Sequence, residues 1–139
     1  MLYASRACAR IAVQEGLPSM FARHAMSSKA MVAGVQGMGL KVYGDLAYKM
    51  PNVTGVVVPD GIAADKVRMA LLKDFNIEIG TSFGALHGKV WRIGAMGYNA
   101  RPVCVLSTLA ALEVVLAAEG HRLTRGAGVD AAYAMLREV

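Results

Sequence analysis

The sequence predicts an α/β fold in which a small, mostly antiparallel sheet carries helices packed on one side. Three observations predict it. Apolar residues recur at helical spacing in five segments. Short β-branched or alternating runs, bounded by Gly, Pro and Asp, lie between the second helical segment and the fourth. The resulting order is helix, helix, strand, strand, helix, short strand, strand, helix, helix, which suits two layers around one core. The 139 residues suit a single domain over 1–139, large enough to bury roughly two-thirds of its unfolded surface.

The elements follow in order. Leu2 to Gln14 reads as a helix, ended by Glu15-Gly16-Leu17-Pro18, because glycine suits a helix C-terminus and proline cannot simply continue one. Ser19 is the expected cap of the next helix, of roughly 18 residues, with Met20, Phe21, His24, Met31, Val32, Val35 and Met38 near helical spacing. Lys41-Val42-Tyr43 is a short strand candidate, and Leu46 to Asn52 a loop. Val53 to Val58 is a β-branched run and so a buried strand. Asp60, in the turn Pro59-Asp60-Gly61, is the expected cap of a helix whose apolar face is Val67, Leu71 and Phe75. Ile77-Glu78-Ile79 is a short strand, Gly80 to Gly88 a glycine-punctuated loop, and Lys89 to Gly94 a further strand. Pro102 opens a helix with the stripe Val105, Leu109, Leu112 and Leu116, stopped by Gly120. Val129, Ala132, Tyr133 and Leu136 mark the last helix.

Composition narrows the partners. The chain is 55% hydrophobic and 18% charged. No stretch reaches about 18 uncharged apolar residues, so no membrane partner is expected. The surplus instead predicts an apolar face, around Met20–Met38 and Val105–Leu116, that packs on another domain as well as on its own sheet. The net charge of +5 is scattered, with no basic run and few interleaved aromatics, so no nucleic acid is expected either. Cys8 and Cys104 form no redox or metal motif and read as free thiols in a reducing compartment, the cytoplasm. Met1 to Gln14, with Arg6, Arg10 and no acid, is read as an ordinary helix rather than a presequence. His24, His87 and His121 are too dispersed for a metal site: His24 reads as a helix-face packing or surface group, His121 as a loop residue, His87 as a neighbour of the pocket at most.

The chemistry concentrates at Arg92. It is a charge inside the strand Val90-Trp91-Arg92-Ile93-Gly94. Alternation puts Val90, Arg92 and Gly94 on one face and Trp91 with Ile93 on the other. A guanidinium so placed suits a planar anion, because it grips a carboxylate through two parallel hydrogen bonds. An arginine in solvent or in a structural ion pair is the plain alternative. The Gly80 to Gly88 loop lacks the Gly-Lys-Ser/Thr ending of a phosphate loop.

A longer series carries a resemblance. It includes Glu15-Gly16-Leu17, Phe21-Ala22-Arg23-His24, Pro51-Asn52-Val53-Thr54 and Val58-Pro59-Asp60-Gly61. It is sharpest at Phe75 to Gly84, His87 to Gly94 and Met96-Gly97-Tyr98-Asn99-Ala100-Arg101. In this order the segments resemble the C-terminal small domain of class V, fold-type I, pyridoxal-phosphate-dependent aminotransferases. They are most similar to the (S)-ureidoglycine–glyoxylate branch, with alanine–glyoxylate and serine–pyruvate enzymes next. The resemblance implies that Arg92 is the substrate-binding residue, holding the α-carboxylate of a small amino or keto acid. It implies a homodimeric parent that uses pyridoxal 5'-phosphate and passes an amino group to glyoxylate by a ping-pong mechanism, with (S)-ureidoglycine, from purine and ureide catabolism, the expected donor. It also implies that the Schiff-base lysine, the acid for the pyridine nitrogen and the phosphate loop lie in a large domain before residue 1. No catalytic, cofactor-binding or metal residue is therefore expected in this chain, and by itself it is expected to be inactive. Ser27-Ser28-Lys29 only superficially resembles a Schiff-base lysine. The alternatives are an alanine- or serine–glyoxylate aminotransferase fragment and a non-catalytic ligand- or protein-binding module.

Overall fold

The structure, a computed structural model, describes residues 2–137. Met1, Glu138 and Val139, the ends of the expected 1–139 unit, lie outside the described residues. Five helices surround a three-stranded sheet: α1 Leu2–Glu15, α2 Leu17–Gly37, α3 Ala64–Phe75, α4 Pro102–Ala118 and α5 Ala127–Arg137, with β1 Val53–Val57, β2 Gly80–Thr81 and β3 Val90–Gly94. The order in the sheet is β1-β3-β2, and both pairings are antiparallel. This is the expected fold class: the helices lie over one face, where Thr54, Val56, Trp91 and Ile93 are buried, while Arg92 and Gly94 are exposed on the other. Trp91 also ties sheet to helix, its indole N–H donating to the Ala64 carbonyl of α3 at 3.1 Å.

The core is continuous from sheet to helices. Met31 and Val35 of α2, Val67 and Leu71 of α3, and Val105, Leu109, Leu112 and Leu116 of α4 pack with Val56, Trp91 and Ile93. Burial of such side chains contributes roughly 1.5–3 kcal/mol each. Both helical stripes thus pack on the chain's own sheet, as expected of them. Much uncovered apolar surface lies on α1, which buries no residue, with Leu2 and Tyr3 each 86% and Val13 78% exposed.

Several boundaries differ from expectation. The break between α1 and α2 is Gly16 alone, whose φ of 83° only glycine adopts cheaply. Pro18 sits in the first turn of α2, where its missing N–H costs nothing, and Ser19 lies inside the helix rather than capping it. α2 accordingly runs 21 residues. Asp60 does not cap α3, which starts at Ala64 behind Ala63 with no side-chain cap. Lys41-Val42-Tyr43 contributes one bridge, Val42 to Val56, beside β1. Ile77–Ile79 does not pair as a strand. Asn76 ends α3 in the left-handed region, and Ile77 N–H reaches back to the Leu71 carbonyl, so the chain is still turning there. Pairing begins three residues later at Gly80, inside the expected loop.

Candidate functional site: an arginine between two glycines

The register of the sheet builds the site. Arg92 lies opposite Gly55 on β1 and opposite Gly80 on β2. No side chain flanks it in that row, so its stem can lean across β2 over Gly80. A Cβ at Gly80 would touch the Arg92 Cβ and Nε at 3.6 Å, and one at Gly55 would press on Tyr43 Cβ at 3.2 Å. Glycine in a strand interior weakens the strand and marks a close approach, here of a side chain.

Arg92 is held at one edge. Its Nε–H donates to the Thr81 carbonyl at 2.8 Å, and its Cζ sits 4.8 Å from the centre of the Phe83 ring. Among the described residues no carboxylate pairs with it, so a structural ion pair does not account for it. Its terminal nitrogens make no hydrogen bond among the described residues, and Arg92 lines a cavity of about 430 Å³ together with Tyr43, Tyr48, Lys49, Val53 and Leu86. Val90 shares Arg92's face as alternation requires, yet it is buried at the floor of the same cavity.

Lys49 was not legible as a site residue. Its ammonium donates to Ser28 Oγ at 2.7 Å and to the Met50 carbonyl at 3.0 Å. Burial lowers its pKa from the ordinary lysine value. The other sequence candidates lie apart from Arg92. Lys29 is exposed on α2. His87 is not in the cavity wall, and its Nδ1 meets the Ser82 carbonyl at 3.2 Å. His24 does more than pack: Nδ1 meets the Met20 carbonyl at 2.7 Å, while Nε2 accepts the Gly97 N–H at 3.0 Å. Arg23 beside it forks onto Glu15 at 2.5 and 2.8 Å and donates to the Gly97 and Ala100 carbonyls. These two side chains fasten the turn that follows β3. Asn99 lies in that turn, and Arg101 precedes α4 with its guanidinium 3.9 Å from the Tyr98 ring centre. Among the described residues no three His, Cys, Asp or Glu gather as a metal site.

A small antiparallel sheet under helices is the α/β fold of an aminotransferase small domain. The chain is homologous to the C-terminal part of glyoxylate-type aminotransferases. It is 47% identical over 135 residues to (S)-ureidoglycine–glyoxylate transaminase of Bacillus subtilis, covering 97% of this chain and 31% of that protein. It is 36% identical over 125 residues to pyridoxamine–pyruvate transaminase of Mesorhizobium japonicum, covering 89% of this chain and 32% of that one. The crystal structure of ureidoglycine–glyoxylate aminotransferase from Bacillus subtilis superposes with a TM-score of 0.88 at 45% identity, over 91% of this chain and 33% of that one. The chain thus spans about a third of the length of the relatives it matches. No protein-family model matches it.

Aminotransferases generally use pyridoxal phosphate, which needs a lysine free to condense with it, an acid at the pyridine nitrogen and a phosphate cradle. The described residues do not fit that set. Lys49 spends two of its three N–H groups on Ser28 and Met50, and Asp45 in the same cavity accepts the Ala47 N–H at 2.8 Å. No cofactor chemistry is assigned to them.

Proposed function

We propose that this chain is one domain, the C-terminal small domain of a class V, pyridoxal-phosphate-dependent aminotransferase, and that Arg92 binds the α-carboxylate of its substrates. The observation that carries the reading is the Gly55–Arg92–Gly80 row, with a guanidinium held by Nε and unpaired at its terminal nitrogens. Glyoxylate is the amino acceptor and (S)-ureidoglycine, from purine catabolism, the donor, a choice supported by the relative at 47% identity. The cofactor, when bound in the complete enzyme, supplies the electron sink for amino transfer, and its binding groups belong to a large domain outside these residues. The complete protein is a cytoplasmic homodimer. Both substrates present a carboxylate, so one arginine serves both halves of the reaction.

The test is kinetic and needs the complete, cofactor-loaded enzyme. A charge-assisted Arg–carboxylate bond contributes about 1.5–3 kcal/mol. Two such bonds make the expected loss in kcat/KM on Arg92→Ala on the order of a hundredfold or more, for glyoxylate and donor alike. Arg92→Lys restores part of it, because an ammonium lacks the planar fork. A change within about threefold for both substrates returns Arg92 to a surface role. The chain alone, mixed with pyridoxal phosphate, glyoxylate and amino donors, gives no turnover above the free-cofactor background; turnover there contradicts the division of labour.

A further inference from the structure

Phe83 is 77% exposed, so no core requires an aromatic ring at this position. Its ring nevertheless lies 4.8 Å from the Arg92 guanidinium carbon. Its backbone is set in advance. Phe83 is extended, with φ −113° and ψ 162°, and its carbonyl accepts the Leu86 N–H at 3.2 Å as the chain enters the turn Gly84–Leu86. Gly84, at φ 57°, makes that turn possible immediately after the ring. Ser82, between Thr81 and Phe83, is buried and its carbonyl meets His87 Nδ1, so the segment is fixed at both ends of the pair that touches Arg92.

We propose that Phe83 is a positioning residue for Arg92: its ring and the Thr81 carbonyl together hold the guanidinium, leaving the terminal nitrogens for a carboxylate. The two restraints are complementary. The Thr81 carbonyl fixes Nε along the edge of the guanidinium. The ring restrains the charged end by cation–π attraction, which any face of the ring supplies without consuming an N–H. An arginine side chain otherwise loses considerable rotamer freedom on binding, and a pre-set one loses less. The proposal rests on the reading of Arg92 as a carboxylate anchor, and the experiment separates the two.

Glyoxylate is titrated into the complete, cofactor-loaded enzyme, 15N-labelled at arginine, at constant ionic strength, following the Arg92 Nε–Hε signal. In the unsubstituted enzyme that signal moves saturably, and in Arg92→Lys it is absent. Phe83→Leu keeps the arginine backbone amide signals, since the side chain is exposed, but weakens glyoxylate binding at Arg92 by roughly two- to fivefold, the scale of an exposed cation–π contact. Phe83→Tyr binds as the unsubstituted enzyme does and keeps the ring-current shift on the Arg92 Hδ protons. Equal affinity in Phe83→Leu overturns the positioning role while leaving Arg92 as the anchor, and so does a loss in Phe83→Tyr as large as that in Phe83→Leu. An Arg92 signal that glyoxylate fails to move in the complete, unsubstituted enzyme overturns the anchor itself, and the positioning role with it.

Discussion

Glu113 is the one charged residue of α4, and it is only 7% exposed. Its carboxylate accepts the Gly126 and Gly128 N–H groups, each at 2.7 Å. These amides lie at the start of α5, where the first N–H groups of a helix lack partners and its dipole favours a negative charge. A buried acid on an apolar stripe is thereby satisfied, and α4 is pinned to α5. Glu113→Gln keeps one acceptor oxygen and turns an amide N–H2 toward the second donor. The expected cost is about 2–3 kcal/mol, read as a lower urea midpoint at unchanged m-value. A loss below about 0.5 kcal/mol would sink this account. The sequence carried a signal that went unread, since a lone charge in an otherwise uncharged helix invites the question of what it meets. Arg92 was legible for the same kind of reason, a charge within an apolar strand. Phe83, Thr81 and Gly55 were not, because only the strand register brings them beside it, and register is not written in any local pattern.

At the scale of elements, α2 and α5 approach closely because small residues line the contact. A Cβ on Gly37 would lie 2.7 Å from the Ala127 carbonyl oxygen and 2.8 Å from Ala131 Cβ. Alanine favours helices by about 1 kcal/mol over glycine, but overpacking here costs about 1–3 kcal/mol. Backbone cannot rotate aside, so Gly37→Ala lowers the melting temperature; a rise would show that the helices part freely. The junction of α1 and α2 depends on pH instead. A hydrogen bond from Arg23, with its charge attraction, holds the Glu15 carboxyl below the usual carboxylate range. A carboxyl depressed in the folded state stabilises above its unfolded pKa and loses that contribution as pH falls through the folded value. The Glu15 contribution therefore disappears on acidification below about pH 4.5, and Glu15→Gln removes that part of the acid dependence. An unchanged acid limb in Glu15→Gln would show that the pair is idle. Helix and strand types were largely readable from periodicity, whereas their ends were decided by other means. Gly16 ends the first helix as expected while Pro18 is taken into the second, and Asn76 carries the turn past Ile77 before pairing starts. In both places backbone geometry overrode side-chain pattern.

Across the whole molecule, one core is closed and one surface is left open. The helical stripes pack on the sheet, and the apolar side chains of α1 remain in solvent. An uncovered surface containing Leu2, Tyr3, Ile11, Val13, Leu17 and Phe21 should bring copies of the isolated chain together. Light scattering is expected to show mass rising with concentration, accompanied by binding of a hydrophobic dye; a monomer at high concentration that binds little dye would count against it. The same bare helix has a kinetic signature. Helices shorter than about 12–15 residues are marginal when nothing packs on them, and the 14 residues of α1 bury none of their own. Its amides should therefore trade protons for deuterons orders of magnitude faster than those of α4, whose opening requires most of the core to come apart. A protease acting on the native chain should find its first cut there, and what it leaves behind should still melt as a cooperative unit.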